Sequence, residues 1–520
     1  MKRIVTPLML FSCLVINSQE VAWFTQPEIQ ADTNAGNIGY TTACDNDGNV
    51  YLAGFKDNAY NYNEVYGDVY YNKYSTDGSL IFSKTFTGRA AILHITADSQ
   101  GNTLLAMSYI DEMVIGETIF TQADEVEPAR VIVKLDAAGN LLWHKSLHAA
   151  GFDYDAVNHF SAVAVDADDY VYAAYDNYMY SYITKYSPDG EELSTIIQQN
   201  VNVISSVAVD TEGNIYGAGS CAGSMASYAG TTAGTDLSYN TYVVKYSPEG
   251  DFQWVRYIDD ITCPSPAVVA RTPDEVYVSS FLFTTEDIGG IAIEGPEQMF
   301  EDFYLAKLDS DGDFQWVREV PGAGKGAPGN RNFMKLDSEG NVYFSGYTGG
   351  TVQWAYNIST VVEGFSNTDA FVMKCSPDGQ ILFAKNWGSN SYDRVDGITV
   401  NNSGDIFISG MVGCSGDFGG FPFESTDWAY KPYLAKITQP TAGTGSPQAQ
   451  SAALYPNPTT DYLNITGLTG NVKGSVMNIA GQKVMDFSTD GSLPINVAIL
   501  PAGTYFAIIE GFKASKFIKK

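Results

Sequence analysis

Side chains able to do chemistry are few, and their spacing decides little in favour of catalysis. The chain has four histidines: His94, His144, His148 and His159. His144 and His148 are four residues apart, which on a helix would let them share one zinc. The alternation Leu-Leu-Trp-His-Lys predicts a strand instead, where four residues span roughly 13 Å, too far for one ion. No Gly-x-Ser-x-Gly elbow occurs. Gly219-Ser220-Cys221-Ala222-Gly223 puts a thiol in a similar frame, but nothing places a base beside it, and it reads as a glycine-rich strand end packed near the centre of the fold. Asp45-Asn46-Asp47-Gly48-Asn49 and Asp309-Ser310-Asp311-Gly312-Asp313 resemble the opening of a calcium loop, with oxygens at alternate positions. Neither reaches a bidentate Glu at the twelfth position, and the same letters recur as turns elsewhere. The expectation is therefore a hairpin turn, no catalytic residue, no metal and no cofactor, with Ca2+ the lesser reading.

Two stretches, 57–74 and 175–186, are dense in Tyr and Asn. Tyrosine offers contact area at low entropic cost, so Tyr62 and Tyr178 are the candidate ligand-binding residues for a glycan or a protein. Tyrosines at alternate strand positions serve equally to pack sheets together.

Charge narrows the partners. The net charge is −31, although Lys2 and Arg3 begin the chain and the last 69 residues hold six Lys against four carboxylates. The acidity therefore lies in the middle, and it repels nucleic acid and anionic membrane surfaces. Lys2-Arg3, the apolar run from Ile4 to Ile16 and Asn17-Ser18-Gln19 read as a signal peptide, too short to anchor in a bilayer. Cys13 gives a loose lipobox as the alternative. Five cysteines follow, at 44, 221, 263, 375 and 414, an odd number for an oxidising compartment.

The elements that must position these residues come from a repeat. One motif is an apolar stretch, an Asp-x-x-Gly-Asn turn and a second apolar stretch, as in DNDGNVYLAG from Asp45 and DSEGNVYFSG from Asp337. It has copies at Asp98, Asp166, Asp210, Arg271 and Asn401, the one at Arg271 lacking the glycine. A second motif is a strand ending in Lys, a Pro-Asp-Gly-like turn and an aromatic strand, as in KYSPEGDFQW from Lys245. It recurs from Lys73, Lys134, Lys185, Lys307 and Lys374, and a seventh copy at Lys436 stops before its turn. Asp caps its own turn and Gly takes the positive φ, so each pair of motifs makes two hairpins. Four strands every sixty residues or so predict an all-β fold, a seven-bladed β-propeller. The last copy lacks its aromatic strand, and an unpaired one, Glu20-Val21-Ala22-Trp23-Phe24-Thr25, stands at the other end. It is expected to pair into the last blade and close the ring.

After the Pro/Gly-rich stretch 439–453 the texture changes. Leu454-Tyr455-Pro456-Asn457-Pro458, Gly481-Gln482-Lys483-Val484, Leu500-Pro501-Ala502-Gly503-Thr504-Tyr505 and Lys516-Phe517-Ile518-Lys519-Lys520 follow in order. This stretch resembles the type A C-terminal sorting domain of type IX secretion cargo from Bacteroidetes. The resemblance implies an Ig-like β-sandwich and a sorting signal at Pro456, Asn457, Pro458, Gly481, Pro501, Gly503, Tyr505 and Lys516. It also implies the translocon and sorting peptidase as partners, transit through the periplasm, and a secreted or outer-surface destination. The expected plan is a signal peptide at 1–18, a propeller at 19–438, a linker at 439–453 and a sorting domain at 454–520. The expected function is a non-enzymatic binding or adhesion scaffold with no membrane span. The alternative is a secreted hydrolase or lyase whose carboxylates gather in the propeller's funnel.

Overall fold

The computed structural model describes residues 19–27, 40–55, 60–61, 64–65, 67–121, 128–148, 157–259, 265–283, 287–296, 301–322, 324–364, 367–424, 430–438, 453–466, 472–478, 483–489, 494–509 and 515–520. The leader at 1–18 and the stretch 439–452 lie outside them. The chain divides into two compact units, Met1–Gln439 and Pro440–Lys520. Among the described residues there are strands and turns and no helix, so no helix is long and apolar enough to cross a membrane.

The larger unit is built from antiparallel four-stranded meanders, as the paired hairpins require. The first runs Thr41–Cys44, Val50–Phe55, Gly67–Tyr74 and then Leu80–Ala97. That last strand has 18 residues, and its second half pairs with Thr103–Ile115, so it also opens the next meander. Glu192–Val209 bridges two meanders in the same way. The first strands of successive meanders lie side by side, and the last of them, Arg394–Val400, lies against Thr41–Cys44.

Five of the first hairpin turns are held by a leading carboxylate, and the Asn401 amide oxygen does the same for its own turn. Asp45 Oδ1 accepts the backbone N–H of Asp47 and of Asn49, while Gly48 takes φ +81°. The buried carboxylate is neutralised by the lysine that ends the third strand: Lys73–Asp45 at 3.0 Å, Lys134–Asp98 at 2.9 Å and Lys374–Asp337 at 3.0 Å. Burial of either charge alone would be costly, so the two repeat motifs depend on each other. The tyrosine after the turn is buried in the same place, as at Tyr51, Tyr172, Tyr216, Tyr277 and Tyr343. Its hydroxyl donates either to the turn's own Asp, as Tyr216 does to Asp210, or to the next meander, as Tyr51 does to the Gly101 carbonyl.

The aromatic residue of the fourth strand explains the glycine of the second turn. The Nε1–H of Trp143, Trp254 and Trp316 donates at 3.0 Å to the carbonyls of Pro188, Ser310 and Pro377, each in a turn of the following meander. The indole lies flat on that turn's glycine. A Cβ on Gly190, Gly312 or Gly379 would stand 2.8, 2.7 or 2.8 Å from the ring. Positive φ and the absence of a side chain are thus both needed there. Gly190→Ala is expected to cost about 2 kcal/mol, read as a lower midpoint in chemical denaturation; a parental midpoint would refute the latch.

Glu20–Thr25 pairs antiparallel with Lys431–Thr438, with Thr25 opposite Leu434 and Trp23 opposite Lys436. Trp23 repeats the latch: its Nε1–H donates to the Thr76 carbonyl at 3.1 Å, joined there by Lys436 Nζ, also at 3.1 Å. A Cβ on Gly78 would meet the Trp23 ring at 2.9 Å.

The smaller unit has a three-stranded sheet, Ala453–Tyr455, Tyr462–Thr466 and Ile495–Asn496, and a four-stranded one, Lys483–Thr489, Val472–Asn478, Gly503–Ile509 and Ser515–Lys519. Leu463, Ile465 and Ile495 from the first share one core with Val476, Tyr505, Ala507 and Phe517 from the second.

Candidate functional site

The first strands surround a cavity of about 1110 Å³. Its lining follows from the repeat. Two residues before each first turn stand Ala43, Thr96, Ala164, Ala208, Val269 and Thr399, all small or β-branched, and all line the cavity. At the matching position of the strand Met334–Leu336 stands Lys335, exposed into that space. Arg130, Arg271 and Arg331 also line the cavity. Arg271 is compensated by Glu275 at 2.6 Å, and Arg130 donates to the Asn158 carbonyl. Among the described residues the one carboxylate in the lining is Asp337, which is bound to Lys374. His94 lines the wall too. Its burial first, then the nearby Lys335 and Arg331, hold its pKa down at about 4, so it is neutral near pH 7. Its Nδ1 meets no hydrogen-bond partner among the described residues.

The funnel is therefore cationic, and the gathering of carboxylates expected of a hydrolase or lyase is not found in its described lining. Two carboxyls raised by burial lie outside the lining and serve the backbone. Asp302, pushed up to about 7 by burial, accepts the N–H of Phe303 and of Val320. Asp393, pushed up to about 6 by burial, accepts the N–H of Ser389 and of Gly413. A carboxyl raised by folding gives stability that is complete below its unfolded pKa and lost as pH climbs through the folded one. The contribution of these two carboxyls is accordingly expected to fall between pH 4 and about 7, against a smaller rise from His94, and Asp302→Asn is expected to make stability fall less with pH in denaturant titrations; an unchanged slope would assign the fall to other groups.

The candidates from sequence fare unequally. Tyr62 lies outside the described residues. Tyr178 is exposed at φ +67° and meets the His159 ring edge-on, with centroids 4.9 Å apart. His159 lines the cavity and shares a hydrogen bond with the buried Asp176 at 2.8 Å, so Tyr178 stands by its rim. The Gly219–Gly223 segment lies inside the strand Ile215–Tyr228 and is not in the cavity wall, which corrects the expectation of a strand end at the centre. It is a second strand, one place out from the first. The Asp45 and Asp309 loops are turns: Asp309 Oδ1 accepts the N–H of Asp311 and of Asp313. No cluster of three His, Cys, Asp or Glu suited to a metal occurs among the described residues. Cys44, Cys375 and Cys414 are free thiols, and Cys263 lies outside the described residues. Lys335, His94 and the arginines were not singled out from sequence. Aligning the repeats on their turns is the signal that exposes Lys335, alone among small residues.

In the smaller unit Asn457 ties its two ends together. Its Nδ2 donates to the Lys516 carbonyl at 3.0 Å, and its Oδ1 accepts the Ile518 N–H at 2.9 Å. The flanking Pro456 and Pro458 both follow cis peptide bonds and are exposed, as are Pro501 and Lys516. Tyr505 is buried, stacks on Phe517 and donates its hydroxyl to the Pro501 carbonyl at 2.9 Å. Gly503 pairs with Lys519. Gly481 lies outside the described residues.

Comparison with solved structures finds the WD40 β-propeller domain of Doa1, 10% identical, covering 82% of this chain and 98% of that one with a TM-score of 0.41. The Dos1 propeller is 10% identical over 81% and 96%, with a TM-score of 0.37. A gluconolactonase from Xanthomonas campestris is 14% identical over 68% and 90%, with a TM-score of 0.31. Likeness this slight carries no argument about activity. Among curated proteins none matches the chain by sequence. The family profile of the secretion system C-terminal sorting domain matches residues 453–520, the stretch that folds as the two-sheet unit. The protein is thus a chain of propeller-type, four-stranded β-meanders that ends in a type IX secretion sorting domain.

Proposed function

We propose that this chain is an exported, non-enzymatic binding scaffold. In this reading seven four-stranded blades, residues 19–438, form a ring closed by Glu20–Thr25, and a linker at 439–453 joins it to an Ig-like sorting domain at 454–520. A signal peptide at 1–18 takes the chain to the periplasm. The translocon and sorting peptidase recognise the exposed Pro456-Asn457-Pro458, Pro501 and Lys516 together with Gly481, Gly503 and Tyr505, and deliver the protein to the medium or the outer cell surface. Ring closure is supported by the contact of Arg394–Val400 with Thr41–Cys44 and by the repeated tryptophan latch at Thr76.

The observation that carries the binding reading is the composition of the central cavity. It is large, walled at the aligned positions by small side chains and cationic, and the one carboxylate in its described lining, Asp337, is held by Lys374. Such a wall holds a ligand without offering the paired carboxylates an acid–base hydrolase requires. The ligand, a glycan or a protein, is taken at this mouth, with Tyr178 at its rim. Probing the exported protein against glycan and peptide arrays tests the reading. A ligand recovered chemically intact, and weakened by Tyr178→Ala, is the expected result; conversion of the bound ligand to product would refute it.

A further inference from the structure

We propose that the central cavity selects a compact polyanion, a ligand presenting two or more carboxylate, sulfate or phosphate groups, and that Lys335 is its principal anchor. This deepens the scaffold reading and rests on it. The protein as a whole carries −31, yet among the described residues its cavity lining inverts the sign: Arg130, Arg271, Arg331 and Lys335 stand against the single carboxylate of Asp337. A sign reversal confined to a concave wall focuses field into the cavity and raises the local concentration of anions, while the acidic exterior repels them elsewhere.

The cations are not equivalent. Arg271 and Asp337 are each held by an oppositely charged partner, Glu275 and Lys374. Lys335 makes no ion pair or hydrogen bond with the described residues. It is exposed, projecting where every other first strand has a small side chain, so its length is available to the ligand rather than to packing. Its charge is felt at His94, on the strand Leu80–Ala97, and at Cys44, on Thr41–Cys44, although neither strand adjoins Met334–Leu336. The ammonium thus acts across the cavity rather than along one wall. His94 adds a neutral imidazole with a nitrogen that no described group satisfies. An ammonium, guanidinium groups and an imidazole around one space suit several anionic oxygens, because charge-assisted hydrogen bonds are the strong ones. A neutral sugar would leave the Lys335 ammonium unmet, and a polyamine would be repelled.

Calorimetric titration of the full-length protein with citrate, inorganic pyrophosphate and trigalacturonate tests this, with maltotriose as the neutral control. At least one of the three anions is expected to bind, more weakly as NaCl is raised, and maltotriose is not. The three arms separate carboxylate, phosphate and acidic-saccharide sources. Lys335→Met is expected to weaken binding roughly tenfold without lowering the unfolding midpoint, because the side chain is exposed. Lys145→Met, outside the lining, is expected to leave affinity at the parental value. Binding of none of the anions, or equal affinity in Lys335→Met, overturns the inference. The scaffold reading would survive that failure if an array ligand still bound intact, and it would fall separately if bound trigalacturonate were recovered cleaved while the charge match held.

Discussion

A chain that stops at 452 is expected to accumulate inside the cell envelope and to vanish from the culture medium and the outer surface. The argument is one of autonomy. Leu463, Ile465, Val476, Tyr505 and Phe517 form a core of their own, and Asn457 clasps the strand Ser515–Lys519 with two hydrogen bonds. Removing the unit therefore takes away an address without opening the larger one. Fractionation with immunodetection reads the outcome, and unaltered secretion of the truncated chain would sink the assignment. Asn457→Ala tests the same idea with one side chain. Loss of both bonds removes the side-chain clasp between the Pro456–Pro458 turn and the basic end, leaving the Thr459 backbone bonds to Ile518 and Lys520, and secretion is expected to fall although the rest of the protein stays folded.

Trp23→Ala is expected to destabilise the larger unit by about 3 kcal/mol, the low end for a packed aromatic because this one is only half-buried. The indole loses its contact with Gly78 and Phe407 and its bond to the Thr76 carbonyl. Deleting 19–25 goes further. It strips the pairing partner from Lys431–Thr438 and leaves that strand as an open edge, so aggregation on heating is expected to accompany the lower melting temperature. Trp143→Ala supplies the comparison, since its latch to Pro188 joins meanders that the chain already links covalently. If Trp23→Ala melts like the parent, the latch at Thr76 contributes nothing, and Glu20–Thr25 must be held by backbone pairing alone.

Much of this architecture was legible because its chemistry is local. Asp45 and Gly48 announce their turn within four residues, and the deficit of one aromatic strand after Lys436 matched the surplus at Trp23. What could not be read is what depends on the closing of first strands around a common space. Lys335 looks like any solvated strand lysine until Ala43, Ala164 and Ala208 are known to face the same cavity. His94 offers no motif at all, because its neighbours Lys335 and Arg331 lie some 240 residues away in sequence. The reason that glycine must follow Asp in the second turn was likewise hidden, since the ring pressing on Gly190 belongs to Trp143 of the preceding meander.

The hydrogen bond from Thr438 Oγ1 to the Glu20 carbonyl joins residues 418 apart. Bringing such distant points together from a free coil costs about 5 kcal/mol of loop entropy, but the cost nearly disappears once the intervening sheets have stacked and hold the ends close. The segment that is synthesised early thus finds its place late. Until Lys431–Thr438 has folded, Glu20–Thr25 lacks its pairing partner, so the interval before the last sheet forms is when that strand is most open to pairing with another chain.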